Sequence, residues 1–158
     1  MRTPRFGRAF SFIELMVVLV IIGILAAIIL PRFSGVTDDA RSAAVQGDLA
    51  GVRSAIAGYR AKNVIAGTPA YPTITQLTTQ GLVLQADFPK NPYTQQTNVQ
   101  GVSKAQALAR QVLNADKFGW NYYVDNAASP PEAIFYINAD EPTNVVDSSG
   151  GTKTANEL

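Results

Sequence analysis

The sequence predicts an α+β protein in which a long N-terminal helix packs on a small C-terminal antiparallel β-sheet. Three observations support this prediction. An apolar run covers residues 10–30, a proline-free stretch with helical periodicity covers residues 32–62, and the remainder is rich in turn residues and holds two strand-like segments. The first two would join into one helix of about 50 residues, whose first half is long enough to cross a bilayer.

The apolar run divides the chain into four parts. It follows a leader, residues 1–9, that carries three arginines and no acid. Residues 10–30 then form the membrane-spanning half of the helix, with the basic leader on the cytoplasmic side by the positive-inside rule. Residues 31–62 form its amphipathic half, and residues 63–158 form a globular α/β region.

The composition excludes most hydrolase families. The 158 residues contain neither cysteine nor histidine, so the chain has no disulfide, no thiolate nucleophile and no imidazole base. The net charge is +1, and no cluster of Lys and Arg forms a nucleic-acid surface. Pairs of Ser and Lys or of two Asp stay open as catalytic groups, but no spacing points to one. We therefore expect a protein that is not an enzyme.

Glu14 is an acid inside the apolar run. A charged side chain costs roughly 2.5–3.5 kcal/mol at the membrane centre and less near its edge, and such an acid usually serves a function with a partner. A secretory signal would lack this acid and would carry a cleavage site after the run. A plain signal anchor would not need Glu14. The third interpretation places a cut between Ala9 and Phe10, so that the run stays on the mature protein.

The third interpretation agrees with a known family. The segment RAFSFIELMVVLVIIGILAAIILP, residues 8–31, resembles the class III leader and N-terminal helix of type IV pilins and type II secretion pseudopilins. The spacing of Phe10, Glu14, Gly23 and Pro31 agrees with the family pattern. Ala9 departs from it, because the family usually has glycine before the cut.

The resemblance implies a processing and assembly role for these residues. A prepilin peptidase would remove residues 1–9 and methylate the new α-amine of Phe10. In the filament, Glu14 would be neutralised by the amine of a neighbouring subunit, although an amine one turn away on its own helix could also reach it. Pro31 would weaken the helix at the membrane exit and Gly23 would add a second weak point, so that the helix kinks or the stretch between them unwinds.

The second half of the long helix has two stripes. The apolar stripe is expected to pack on the sheet, and the stripe of small residues would allow other helices to approach closely or would simply be an alanine-rich face. The apolar stripe comprises Val45, Leu49, Val52, Ile56 and Tyr59. The small-residue stripe comprises Ala40, Ala43, Gly47, Ala50, Ser54, Ala57 and Ala61.

The region after residue 62 predicts short elements. A loop and a short helix end at Gly81, and Ser103 with Gln106 forms a capping box for a helix that reaches about Asn114. The segments FGWNYYV and AIFYIN, residues 118–124 and 133–138, predict two strands of a hairpin. In the resembling family, a small antiparallel sheet of this kind covers the long helix.

The C-terminal tail is a candidate calcium site. Pilins commonly close this loop with a disulfide and major pseudopilins often with calcium. Asp140, Glu141 and Asp147 offer the oxygen ligands that Ca²⁺ prefers, although their spacing is not that of an EF-hand and such acids are usually only solvated.

The resemblance implies a filament subunit. We expect a homopolymer drawn from the inner membrane by a platform protein and its ATPase, with minor pilins or pseudopilins as partners and the C-terminus in the periplasm. The closest likeness is to the major pseudopilin of type II secretion. The alternatives are a surface pilin for adhesion, motility or DNA uptake, and a membrane-anchored binding domain that does not polymerise.

Overall fold

The structure is a computed structural model that describes residues 10–158, and of residues 30–34 it describes the backbone alone. The first helix, α1, extends over Phe12–Ala66 and is slightly longer than predicted. The described chain divides into two compact units that meet within α1, one ending at Thr37 and the other covering Asp38–Leu158.

The first unit consists of the start of α1. Its segment Phe12–Ile29 has a mean hydropathy of 3.1 and none of it is buried in the structure. By length and composition this segment is able to cross a membrane. The helix continues without interruption past Gly23 and through the backbone of Pro31.

The core of the second unit confirms the apolar stripe of α1. Val45, Leu49 and Val52 are at most 1 % exposed, and Ile56 is 7 % exposed. They pack in one cluster with aromatic side chains of the sheet. The small-residue stripe faces away from this cluster, because all seven of its members are exposed.

The main sheet has three strands, β1 (Val99–Gly101), β2 (Trp120–Asp125) and β3 (Glu132–Ile137). β2 and β3 form the predicted antiparallel hairpin, with Trp120 opposite Ile137. β1 was not predicted and pairs parallel to β2, so the sheet is mixed rather than purely antiparallel. A parallel neighbour needs a long crossover, and the chain between β1 and β2 supplies one.

An aromatic cluster joins the sheet to its surroundings. Trp120 is fully buried and stacks on Phe135, with ring centroids 5.3 Å apart. Phe88 meets both rings edge-on, at 6.2 and 6.1 Å. Alternation along β2 places Trp120 and Tyr122 on the same face, as the sequence pattern predicts.

Two short helices flank the sheet. α2 covers Ile74–Thr78 and α3 covers Lys104–Leu108, and each begins with a capping box, the second between Ser103 and Gln106. The prediction that α3 reaches Asn114 is wrong, since Arg110 adopts a φ of +51° and the backbone leaves the helix there.

The C-terminal tail forms a second, two-stranded antiparallel sheet that the sequence did not predict. Its strands are β4 (Pro142–Val146) and β5 (Thr152–Thr154), and a 3₁₀ turn over Ala155–Glu157 follows. The hairpin contacts α1 at Ser42, whose hydroxyl donates to Asn144 Oδ1 at 2.6 Å.

Candidate functional site

The candidate assembly residue, Glu14, lies in the first turn of α1 and closes a capping box with Ser11. The Ser11 N–H donates to Glu14 Oε2 at 3.1 Å, and the Glu14 N–H donates to Ser11 Oγ at 3.3 Å. Such a reciprocal pair satisfies backbone donors that a helix start leaves without partners. The carboxylate therefore has a partner on its own helix, which is a backbone N–H rather than an amine.

The role of Ser11 was not predicted from the sequence, although its pattern is recognisable there. A serine followed three residues later by glutamate, ahead of an apolar run, is the signature of a capping box. Residues 11–14 therefore belong both to the capping box at the helix start and to the segment that resembles the known family.

The surface around Glu14 is apolar and uncovered. Phe10 and Phe12 are 79 % and 76 % exposed, and the large apolar side chains of Phe12–Ile29 are all at least 47 % exposed. A contiguous apolar surface of this size is typical of a segment that contacts lipid or other helices. The geometry therefore suits a helix that lies in a bilayer or packs against other helices.

The other residues of the predicted processing and flexibility sites are only partly described. Ala9 lies outside the described residues, as does the side chain of Pro31. Gly23 has open space around it, because an added Cβ would meet nothing within 4 Å. Both Gly23 and Pro31 lie within continuous helix, so the weakening of the helix there stays a prediction.

The structure does not assemble the predicted calcium ligands. Asp140 and Glu141 are exposed just before β4, and Glu141 lines a surface cavity with Asp38 and Asp39. Across residues 10–158, no group of three or more acidic, Cys or His side chains is arranged to hold a metal ion. The calcium hypothesis therefore has no support from the arrangement of these acids.

Asp147 instead organises the turn between β4 and β5. Its Oδ1 accepts from the N–H of Ser149 at 2.8 Å, from the Ser149 hydroxyl at 2.7 Å and from the N–H of Gly151 at 2.9 Å. These hydrogen bonds, led by that of the Ser149 hydroxyl, lower the pKa of Asp147. The carboxylate thus serves as a turn residue.

The fold and this helix start define a class of protein. A long helix with an exposed membrane-length first part, a capped acid near its beginning and a small sheet on its second half is the architecture of a pilin-like filament subunit. Residues 5–30 match the family described as the prokaryotic N-terminal methylation motif.

Curated relatives are consistent with this class. Type II secretion system core protein G of Pseudomonas aeruginosa is 32 % identical over 133 residues, which cover 83 % of this chain and 82 % of that protein. Its counterpart in Klebsiella michiganensis is 35 % identical over 82 residues, covering 52 % and 54 %. The type IV narrow pilus major component PilA5 of Thermus thermophilus is 51 % identical over 60 residues, covering 37 % and 52 %. No solved structure matches the chain.

The chain therefore belongs to the family of type IV pilins and type II secretion pseudopilins. This result confirms the resemblance and the α+β pilin-like fold, and it confirms the role of a pilin-like filament subunit. The relatives are named as components of a secretion system or a pilus rather than as enzymes. The motif and the apolar helix together indicate a membrane-anchored protein.

Proposed function

We propose that the chain is a structural subunit of the short filament of a type II protein secretion system, and that it has no enzymatic activity of its own. The observation that carries this proposal is the match to a core protein G over 82 % of that protein's length, which includes the globular region as well as the helix. The match to PilA5 covers only 37 % of this chain and 52 % of that protein, so it supports a shared role less strongly.

The proposed assembly begins at the inner membrane. A prepilin peptidase cuts the chain after Ala9, which removes residues 1–9, and methylates the new α-amine of Phe10. The segment after Phe10 stays in the bilayer, with the C-terminus in the periplasm, until a platform protein and its ATPase extract the subunit. Identical helices then form the filament core, and minor pseudopilins complete it.

Glu14 is the residue on which extraction depends in this proposal. A carboxylate that leaves the bilayer surface for a helical bundle needs a cationic partner, since an unpaired buried charge is strongly unfavourable. The α-amine that cleavage creates at Phe10 of a neighbouring subunit supplies that partner. Gly23 lies within the segment and Pro31 just after it, and a helix weakened between them would let the core lengthen.

Two substitutions separate the charge of Glu14 from its capping role. Glu14→Gln removes the charge but keeps a side-chain oxygen for the Ser11 N–H, because glutamine also serves in capping boxes. Ser11→Ala keeps the charge and removes the hydroxyl, at a cost to the helix start of about 1 kcal/mol.

We expect Glu14→Gln to abolish filaments recovered by shearing, while the variant stays in the membrane fraction. Ser11→Ala is expected to assemble at close to the normal level. The opposite pattern would show that Glu14 matters only as a cap, and normal assembly by both variants would remove its assembly role. Mass spectrometry of the mature chain provides the processing control, since retention of residues 1–8 contradicts the proposed cut.

A surface pilus is the second candidate, and the local match to PilA5 is the observation that favours it. Deleting the gene distinguishes the two. Loss of secreted enzymes with unchanged surface appendages supports the secretion filament, whereas loss of appendages with normal secretion supports the pilus. A wild-type chain that never appears in sheared filaments would instead indicate a membrane-anchored domain that does not polymerise.

A further inference from the structure

Strand β3 lies at an edge of the main sheet. β2 occupies the middle, with β1 on one side and β3 on the other. The carbonyl of Tyr122 accepts from the N–H of Val102 on the β1 side at 3.2 Å, so Tyr122 and the opposite residue Phe135 do not exchange hydrogen bonds. Because backbone direction alternates along a strand, the N–H and C=O groups of both Ala133 and Phe135 point to the outer edge of the sheet.

One of these outward groups is already capped. Nε and Nη2 of Arg53 donate to the Phe135 carbonyl at 3.3 and 3.0 Å. Within the residues that the structure describes, the N–H of Phe135 and the N–H and C=O of Ala133 form no hydrogen bond on that side. The outer edge of β3 therefore offers two donors and one acceptor, and such an edge is a template for pairing with another extended chain.

A surface cleft lies at this edge. It has a volume of about 370 Å³ and is lined by residues 133–135 of β3. Arg53 and Arg60 of α1 and Arg110 of the segment after α3 also line it, together with apolar side chains such as Ile56. This volume falls within the range of roughly 300–1,000 Å³ that is usual for ligand sites. The free edge of β3 is thus reached through a cleft that has room for part of a peptide.

The cleft is basic. No aspartate or glutamate lines it, whereas three arginines do. Leu158 lines it as well, but residues 10–158 form no ion pair between the carboxylate of Leu158 and an arginine. That carboxylate carries one charge, so it offsets at most one of the three positive charges. The cleft therefore keeps a positive balance with the end of the chain included.

Two of the guanidinium groups are partly withdrawn from water. Arg110 lies over the ring of Tyr136, 5.2 Å from its centroid, and its buried Nη1 has no hydrogen-bond acceptor among the described residues. Burial lowers the pKa of Arg53, and the charge of Arg110 lowers it further. Arginine nevertheless stays protonated in proteins. Donors of this kind form their strongest hydrogen bonds with carboxylates.

We propose that the outer edge of β3 binds an extended acidic segment of another protein as an additional strand. The backbone of that segment accepts from the N–H groups of Ala133 and Phe135 and donates to the Ala133 carbonyl, while its acidic side chains pair with Arg60 and Arg110. In such strand addition the backbone bonds provide affinity and the neighbouring side chains provide specificity. The site lies within the globular unit and adds a binding activity that does not depend on the filament role.

A second copy of this chain fits the site poorly. The loop from Asp87 to Lys90 contains an acid, but Phe88 within it packs edge-on against Trp120. Asp140 and Glu141 lead directly into β4, which is paired with β5. Residues 1–9 carry three arginines and no acid. Charge complementarity and a free backbone therefore favour a segment from a different protein.

The test uses the full-length chain in detergent micelles and three synthetic peptides with blocked ends and a fluorescent label. The first has the sequence TVEVEVT, which combines acids with residues that favour extended backbone. The second, TVQVQVT, lacks the charges. The third keeps the first sequence, but the backbone nitrogens of its five central residues are methylated, which removes their hydrogen-bond donors. Fluorescence anisotropy at fixed ionic strength gives the affinities.

The variants separate the backbone from the charges. Ala133→Pro removes only an outward N–H, and proline is tolerated where the N–H of an edge strand faces away from its neighbour. Ala133→Ser keeps that N–H and is its control. Arg110→Gln and Arg60→Gln remove charges from the cleft. Lys117→Gln is their control, since Lys117 is exposed and does not line the cleft.

We expect TVEVEVT to bind the wild type and to slow amide exchange at Ala133 and Phe135. The uncharged and the methylated peptides are each expected to bind about tenfold more weakly or worse, because each lacks one of the two sets of contacts. Ala133→Pro and Arg110→Gln should weaken TVEVEVT by about tenfold, and Arg60→Gln by up to about fivefold because Arg60 is exposed. Ala133→Ser and Lys117→Gln should bind as the wild type does.

Several results would overturn the proposal. If the methylated peptide binds as tightly as its parent, the cleft is only a charged surface. Equal binding by Ala133→Pro, with folding confirmed by the near-ultraviolet signal of Trp120, would show that the edge is not used. If no peptide binds the wild type at about 1 mM, strand addition by an acidic segment is wrong. In that case a lower filament yield of Ala133→Pro would assign the edge to a second copy of the chain, and an unchanged yield would mean that Arg53 only protects it.

Discussion

Asn138 is expected to be the polar residue on which the globular region depends most strongly. It is fully buried at the end of β3, and both ends of its amide are used. Nδ2 donates to the carbonyls of Leu113 and Phe118 at 2.7 and 2.8 Å. Oδ1 accepts from the Leu113 N–H at 2.8 Å and from Nδ2 of Asn121 at 3.0 Å. One side chain thus ties the segment between α3 and β2 to the sheet.

The substitution Asn138→Leu keeps the number and branching of the side-chain heavy atoms but removes all four hydrogen bonds. Asn121 keeps its bond to the Gln111 carbonyl, and the Leu113 carbonyl keeps the donor of Gln100 Nε2. The Leu113 N–H and the Phe118 carbonyl are the two groups that lose their partner. We therefore count about two groups left without partners at roughly 1–3 kcal/mol each, and subtract about 1 kcal/mol for the added apolar contact. The expected net loss is about 3 kcal/mol. For a unit of roughly 100–150 residues, this lowers the unfolding temperature by about 10–15 °C.

The full-length chain in detergent micelles can be followed through the environment of Trp120. This residue is the only tryptophan in the sequence and is completely buried beside Phe135, so its near-ultraviolet signal reports the globular unit rather than α1. Asn98→Leu is the control, since Asn98 is exposed and donates only one bond, at 3.3 Å. If Asn138→Leu lowers the unfolding temperature by less than about 3 °C, or by no more than the control does, the reasoning is refuted.

One further substitution tests the backbone at Gly119, and a pH titration tests the turn at Asp147. Gly119→Ala would bring a Cβ to 2.9 Å from Asn91 Cβ and still closer to the Gln96 carbonyl oxygen, so we expect the free energy of unfolding to fall by at least about 2 kcal/mol. Gly58→Ala, on open helix surface, is the control and should raise the free energy of unfolding by about 0.5–1 kcal/mol. Equal effects of the two substitutions in thermal unfolding would contradict this. Because the pKa of Asp147 is lowered in the folded state, its carboxylate stabilises the fold above pH 3.8, and this stabilisation is lost as the pH falls through the pKa of the folded state. Amide shifts of the Ser149 and Gly151 N–H groups should therefore titrate with a midpoint below 3.8, and a midpoint at or above 3.8 would be evidence against the turn geometry.

The long helix was predictable because its signals are local. The apolar run and the stripe from Val45 to Ile56 each repeat at helical spacing, and neither needs knowledge of distant contacts. The aromatic alternation in β2 is likewise contained within one segment. These signals gave the class of fold and the direction in which α1 packs.

The end of α3 was not predictable from local signals. The capping box at Ser103 correctly gives the start of the helix. The backbone leaves the helix at Arg110, and the Leu113 N–H, which would donate to the carbonyl of Ala109 in a continued helix, donates instead to Asn138 Oδ1 at the end of β3. A donor captured by a distant side chain is no longer available to continue the helix, and nothing near Ser103 in the sequence reports this.

The missed strands have a similar explanation. β1 and β5 have only three residues each, and β4 begins with a proline and alternates exposed with less exposed positions. Segments this short carry too little pattern for alternation to be recognised, and their pairing depends on which strand the fold brings beside them.

Glu14 caps the start of its own helix and is proposed to pair with an amine of a neighbouring subunit, and its geometry allows both contacts at once. A partner on its own helix would exclude one on a neighbouring subunit only if the carboxylate could accept a single donor. An ionised carboxylate has two oxygens and about four positions for donors. Ser11 approaches Oε2 through its backbone N–H and carries no charge. It orients the side chain without neutralising it, so the proposed amine of an incoming subunit would still find a charged and already positioned acceptor.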